Sequence, residues 1–209
     1  IILLDELINH DLPSEIEQIK GDFRDKELLT KYLVDVDLVI HLAALLGVDL
    51  CEDLPRATLN ANGREACDFF DLCKRMQVKK IIYTSSSEIY GNIENGQEDS
   101  KVSPISDYAI AKLYSERYLK SIASPSFNAY VLRLFSIYGK NQRDDFVISR
   151  FMKLAKSNKK LNIYGLGDQV RAFCHVSDVT NAVNLCINNE HSIESYCLLN
   201  IGNDLEPIS

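Results

Sequence analysis

No stretch of this chain is apolar for anything near the ~20 residues that a membrane-spanning helix needs, and no basic segment precedes a short apolar core as in a secretory leader. Among its six cysteines (Cys51, Cys67, Cys73, Cys174, Cys186, Cys197) there is no C-x-x-C pair, and the four histidines add no ligand spacing beside them. No metal site is expected, and reduced thiols in a cytoplasmic protein are the expected state. Lysine and arginine form no cluster: 23 basic residues face 30 acidic ones, for a net charge of −7. That field opposes nucleic acid and anionic membrane surfaces, so neither is expected as a partner, and any phosphate-bearing ligand must be held by a local site. The chain opens on Ile1 inside an apolar run, and a natural N-terminus further upstream is the expectation.

What is present is the composition of a globular domain: 209 residues, 46% hydrophobic and 25% charged, enough to bury a sizeable core. Apolar runs alternate with helical patterns as repeated βα units require. Short apolar runs at 1–4, 38–42, 80–84 and 129–135 read as buried parallel strands. Helices are predicted over 25–33, 54–76 and 108–122. This is the pattern of an α/β doubly wound parallel sheet of the Rossmann type. After Gly139 the rhythm changes to a predicted helix at 146–157, a short strand at 161–164, a helix at 177–188 and a strand at 198–201. Residues 1–139 are therefore expected to form the main domain and 140–209 part of a smaller mixed α/β lobe. The polar segment 92–103 reads as a surface loop.

Tyr108 and Lys112 lie four residues apart on one predicted helix, hence on the same face. A phenol is useless as a base near neutrality unless a neighbouring ammonium favours its ionised form, so the pair can do acid–base work. Alone it is a weak signal. Upstream, Lys80-Ile-Ile-Tyr-Thr-Ser-Ser-Ser-Glu-Ile-Tyr-Gly91 reads as a buried strand running into a hydroxyl-rich turn at its carboxyl end, where ligands sit in open α/β sheets. A polar strand end closed by a hydroxyl turn is the plain alternative.

With these go Leu4-Asp5, Gly21-Asp-Phe-Arg-Asp25, His41-Leu-Ala-Ala44, Asn60-Ala-Asn-Gly63, Tyr108-Ala-Ile-Ala-Lys112, Arg133-Leu-Phe-Ser-Ile-Tyr-Gly139 and Gly165-Leu-Gly-Asp-Gln-Val-Arg171 leading to His175-Val-Ser-Asp178. In that order the motifs resemble the extended short-chain dehydrogenases of the NAD-dependent epimerase/dehydratase type, over almost the full chain. The family's first strand and its glycine loop, G-x-x-G-x-x-G, have no counterpart here, so the first βα unit is missing and truncation at both ends is expected.

The resemblance implies NAD as a recycled cofactor and a nucleotide-diphosphate sugar as substrate. It implies that Asp5 bonds the adenosine ribose, which suits a carboxylate ending a second strand, and that Asp22 and Phe23 meet the adenine edge. Leu42, Ala43, Ala44, Asn60 and Phe135 are implied along the cofactor. Ser86 would be the catalytic hydroxyl, Tyr108 the base, and Lys112 the ribose-binding residue that depresses the tyrosine pKa. Ser86, Ser87, Ser136 and Arg171 would bind substrate, Arg171 as a guanidinium fork on the diphosphate. Ser136 stands where the family usually has Asn, and Ala172 where Asp is common.

The implied chemistry oxidises the sugar at C4 to a 4-keto intermediate, which is then epimerised or dehydrated. Glu88 leans toward a 4,6-dehydratase, as a carboxylate able to draw the C5 proton, while the 133–139 and Arg171 segments look more like epimerase sequence. A glucuronate decarboxylase would need an arginine that 101–107 does not offer. A non-catalytic NAD-binding member of the fold is the alternative from another class. The family usually dimerises through two long helices, here 54–76 and 108–122, and a homodimer is expected.

Overall fold

The structure is a computed structural model that describes residues 1–203 apart from 94, 95, 164, 166, 168, 169 and 190–193, together with all but the side chains of Val48 and Asp49. Tyr164, at the end of one predicted strand, and Leu166, Asp168 and Gln169, in the motif before Arg171, lie outside the described residues.

Four parallel strands form the centre: β3 (Leu38–His41), β4 (Lys80–Ser86), β5 (Asn128–Leu134) and β8 (Tyr196–Ile201), hydrogen-bonded in that order. Register places Tyr83 beside His41 and Val131, and Ser86 beside Leu134. Side chains alternate across a sheet, so β4 and β5 must be apolar on both faces if helices cover both. They are. Ile81, Tyr83, Ala129 and Val131 face a core with Phe69, Phe70 and Leu119, from α4 (Ala66–Arg75) and α5 (Asp107–Ile122). Ile82, Tyr130 and Leu132 face Val183 and Cys186 of α7 (Val176–Asn188).

A second, two-stranded parallel sheet pairs β1 (Ile2–Asp5) with β2 (Glu17–Lys20), and among the described residues it has no strand pairing with β3. α1 (Lys26–Tyr32) follows, capped by Asp25, whose carboxylate accepts from the Leu28 amide. The sequence expectation of a buried strand at 1–4 is corrected here: Ile1 is 94% exposed and Ile2 43%. Among the described residues β1 is paired along one edge, with β2, and packs on the core through Leu4. β2 was not foreseen, because Glu17-Gln-Ile-Lys20 carries too little apolar pattern to announce a strand.

The helix predicted over 54–76 is broken into three. After α2 (Val48–Asp53), α3 (Pro55–Leu59) runs into a π-helical turn (Asn60–Glu65) and then α4. α6 (Val147–Lys156) matches its prediction, while β6 (Ser136–Tyr138) and β7 (Phe173–His175) form a small parallel pair that was not foreseen. Residues 161–163 form no strand. The main sheet also takes β8, and its cover α7, from the segment after Gly139, so the sheet itself runs across that position.

Candidate active site

β4 ends in Thr84, Ser85 and Ser86, all buried, at the carboxyl edge of the sheet. Ser86 leaves the strand as the cap of a 3-10 turn (Ser87–Tyr90), its Oγ accepting from the Glu88 amide at 3.2 Å. Gly91 closes that turn at φ 65°, and a Cβ there would lie 2.1 Å from the Ser103 carbonyl oxygen. Only glycine lets the polar loop return this tightly, where the Ser103 amide donates to the Ile89 carbonyl. Ser106 then caps α5: its Oγ accepts from the Ala109 amide at 3.1 Å and donates to Glu88 Oε2 at 3.3 Å. The two caps bring Ser86, Glu88 and the first turn of α5, with Tyr108, to one place.

Lys112 is 2% exposed and its Nζ donates to the Thr84 carbonyl at 2.8 Å, so the helix is tied to the strand end through the ammonium. Nζ lies 4.7 Å from the Tyr83 ring centre and 5.8 Å from that of Tyr108. Burial lowers the Lys112 pKa to about 7, with Glu116 working against that fall. Burial raises the Tyr108 pKa, helped by Glu88 and Cys51, while the facing Ser86 hydroxyl pulls it back. Lys112 is not among the groups that shift the phenol. Both groups are pushed toward neutrality by the same low-dielectric surroundings, and the ammonium is spent on Thr84 rather than aimed at the phenol oxygen.

Beneath this cluster lies a polar network that the sequence reading did not single out. Arg133 Nε and Nη2 donate to Glu116 Oε1 and Oε2 at 3.1 and 2.8 Å, with both side chains buried. Arg133 Nη1 donates to the Tyr90 hydroxyl at 2.8 Å, which donates in turn to Asn200 Oδ1 at 2.8 Å. Asn200 holds the returning loop through the Gly96 carbonyl at 2.9 Å and Glu98 Oε1 at 2.7 Å. A signal was available: Arg133 sits inside an otherwise apolar strand, which demands a buried partner, and Glu116 continues the Tyr108–Lys112 face by one more turn.

At the end of β3, Leu42 and Ala43 are exposed and Ala44 is half-buried. His41 is enclosed by Phe23, Phe69, Phe70 and Tyr83, at ring distances of 5.0–5.9 Å. Its Nε2 has no hydrogen-bond partner among the described residues, and burial drops its pKa to about 3. Asn60 lines an open cavity of about 420 Å³ with Asp53, Leu54, Pro55, Arg56 and Ala57.

The ribbon side carries the remaining acidic candidates. Asp5 is exposed and its Oδ1 accepts from the Leu7 amide at 2.9 Å. Arg24 holds the Asp22 carboxylate and lowers its pKa. Phe23 stands edge-on to His41, 5.1 Å away, and so joins the ribbon to the end of β3. On the far side, Phe135 packs near Tyr90 at 6.4 Å and Ser136 opens β6. Ser87 stays in the turn beside Glu88. Arg171 is not brought to this cluster: it is exposed, and its Nη1 donates to the neighbouring Val170 carbonyl.

No group of three or more His, Cys, Asp or Glu suited to a metal occurs among the described residues. No helix there is long and apolar enough to cross a membrane.

Residues 1–202 match the profile of the NAD dependent epimerase/dehydratase family. Among curated proteins, the chain is 30% identical over 182 residues to an uncharacterized UDP-glucose epimerase of Bacillus subtilis, covering 83% of this chain and 55% of that one. It is 29% identical over 208 residues to the dTDP-D-glucose 4,6-dehydratase of Dictyostelium discoideum, covering 90% and 46%. The chain thus spans about half the length of these relatives. Among solved structures, a UDP-glucuronic acid 4-epimerase from Bacillus cereus, in complex with UDP-glucuronic acid and NAD, superposes with a TM-score of 0.86 at 27% identity, over 96% of this chain and 68% of that one.

Proposed function

The chain belongs to the NAD-dependent epimerase/dehydratase family, and we propose that it carries the catalytic half of an enzyme that oxidises a nucleotide-diphosphate sugar at C4. The observation that carries this reading is the convergence of Ser86, Tyr108 and Lys112 at the carboxyl end of β4, tied by the Lys112–Thr84 hydrogen bond.

The residues present fit the nicotinamide end of NAD. A buried ammonium and two hydroxyls offer donors where a ribose would lie, and the exposed small residue Ala43 ends the neighbouring strand. Asp5, an exposed carboxylate at the end of β1, suits the other ribose. No glycine-rich loop lies in the chain to hold the diphosphate. When bound, NAD supplies the hydride acceptor and returns the hydride later.

The protein's own groups handle the protons and the position of the sugar. The base is Tyr108 in its phenolate form, which burial disfavours and the facing Ser86 hydroxyl favours; it takes the proton of the sugar hydroxyl, and Ser86 Oγ hydrogen-bonds the same oxygen. Lys112, anchored on Thr84, orients the ribose. Phe135, Asn60 and Leu42–Ala44 line the cofactor's path, Asp22 and Phe23 its adenine end, and Ser87 and Ser136 are the substrate-side contacts, with Arg171, exposed and outside the cluster, left for the diphosphate.

Of the two outcomes after oxidation, the position of Glu88 supports 4,6-dehydration. Its carboxylate is held at the start of α5 by Ser106 and is close enough to Tyr108 to perturb it, as a residue drawing the C5 proton must be. Epimerisation is the second reading, supported by the likeness to epimerases. The homodimer is proposed to form through the segments 54–76 and 108–122, which expose Leu54, Leu59, Ile110 and Tyr114, and sedimentation as a monomer would refute it.

The test mixes the protein with NAD and a panel of nucleotide-sugars. Reduced-nicotinamide absorbance or a 4-keto product is expected, and Tyr108→Phe should slow its formation by roughly 10²–10⁴. NAD binding with no turnover, unchanged by Tyr108→Phe, would leave only a non-catalytic NAD-binding role. Glu88→Gln should stop water loss and leave the 4-keto sugar if dehydration is the reaction.

A further inference from the structure

A helix that takes on an extra residue per turn loosens its own hydrogen-bond ladder, and such turns recur where a chain must aim a side chain at a site. Here the π-helical turn Asn60–Glu65 separates two helical segments and buries Asn62, which is 2% exposed. An asparagine in that position must satisfy a carbonyl and an amide group away from water. It does so on one residue: Oδ1 accepts from the Leu45 amide at 2.7 Å and Nδ2 donates to the Leu45 carbonyl at 2.9 Å. The side chain thus imitates a neighbouring strand, extending backbone pairing past the end of β3 at His41.

The other side of Asn62 is fixed to α5. Ser115 Oγ donates to the Asn62 carbonyl at 2.8 Å and lies 3.3 Å from that of Gly63, which also accepts from the Ala66 amide. A Cβ on Gly63 would meet Ala111 Cβ at 3.7 Å and Tyr114 Cδ1 at 3.4 Å, so the turn sits directly on the helix that carries Tyr108 and Lys112. Cys51 completes the link: its Sγ reaches the Leu45 carbonyl at 3.5 Å, and it is near enough to Tyr108 to affect that phenol.

We propose that Asn62 is a positioning residue, whose carboxamide, closed on both polar groups of Leu45 and backed by Ser115, sets the loop Leu42–Ala44 at a fixed height beside Tyr108 and so fixes one wall of the dinucleotide site. The cofactor part of this rests on the function proposed above; the clamp does not. A packing role alone would need neither hydrogen bond, and leucine at 62 would fill the same space.

Amide exchange and NAD titration by calorimetry on wild type, Asn62→Leu and Asn62→Asp decide it. The Leu45 amide should be protected in the wild type and exchange at least about tenfold faster in Asn62→Leu, while the amides of Ile82 and Leu132 keep their rates, which shows that the sheet is intact. Asn62→Asp keeps the acceptor for the Leu45 amide and should retain most of that protection; it also serves if the leucine variant does not fold. NAD affinity should fall about tenfold in Asn62→Leu, with KM for NAD rising more than kcat falls. Unchanged Leu45 exchange overturns the clamp. Faster exchange with unaltered NAD affinity overturns the positioning role. A wild type that binds no NAD overturns the cofactor part with the proposed function, and the exchange data still decide the clamp.

Discussion

The four-stranded sheet and the β1–β2 ribbon are built from the same kind of unit, a parallel strand feeding a helix, yet one is sealed and the other open. In β4, six of seven residues are buried and only Lys80 is half-exposed; in β1, three of four are exposed. The difference is one of neighbours rather than composition, since Ile2-Leu-Leu-Asp5 is as apolar as much of β4. β4 has strands on both edges and helices on both faces, while β1 has one partner, β2, and meets the core through Leu4. The chemistry-bearing groups follow the same division. Ser86, Tyr108 and Lys112 are anchored by the sealed half, whereas Asp5 and Asp22 ride on the open one.

The largest effect should come from the buried pair under the site. Replacing Glu116 with Ala leaves Arg133 buried without its carboxylate and should cost about 3–5 kcal/mol in denaturant unfolding. The double change to Glu116→Leu and Arg133→Met should recover much of that loss, because an apolar pair of similar volume needs no desolvated charge. A loss below about 1 kcal/mol in the single variant would show that the sealed half is not held by this pair.

Next in size is a matched truncation. Leu132→Ala, in a fully buried position of β5, should cost about 2–5 kcal/mol, whereas Leu4→Ala should cost about 1 kcal/mol or less, because less apolar surface leaves the core. Equal costs would break the comparison. Amide exchange should separate the halves in the same sense, with β1 and β2 opening locally and β4 and β5 only by global unfolding.

How far the sequence foretold this follows the same line. Continuous apolar runs located β3, β4 and β5 because burial on both faces imposes that signature, and a shorter run located β8. The same signal misjudged 1–4, since an apolar run reports what a segment could bury and not what is there to cover it. β2 is missed because only Ile19 of its four residues is apolar, and β6 and β7, at three residues each, are too short to carry a pattern. At the site, the spacing of Tyr108 and Lys112 and the hydroxyl run were legible because they are local. The Asn62 clamp and the Glu116–Arg133–Tyr90–Asn200 network join residues 17 to 110 positions apart, and no local spacing shows them. Spacing gave the proximity of Tyr108 to Lys112 but not the burial of the phenol, which raises its pKa.

The smallest effect, a slope rather than a step, tests whether the charge in the sealed half is as isolated as its surroundings imply. Lys112 has its ordinary value of 10.5 lowered to about 7 by burial. Between those values the unfolded chain binds a proton that the folded chain does not, so the stability of the wild type rises with pH across that window. Below about pH 7 the cost of burying the ammonium is present in full and the contribution is flat. Lys112→Met removes the group in both states, while every other titrating group remains common to both proteins. The difference in unfolding free energy, wild type minus Lys112→Met, should therefore climb from about pH 7 to pH 9 by at most ~1.4 kcal/mol per pH unit. Amides of β1 and β2, corrected for intrinsic exchange, should not follow it, because among the described residues no buried lysine lies in the ribbon. Parallel stability curves for the two proteins would mean that Lys112 keeps its ordinary pKa, and that the sealed half admits enough water or counter-charge to solvate it.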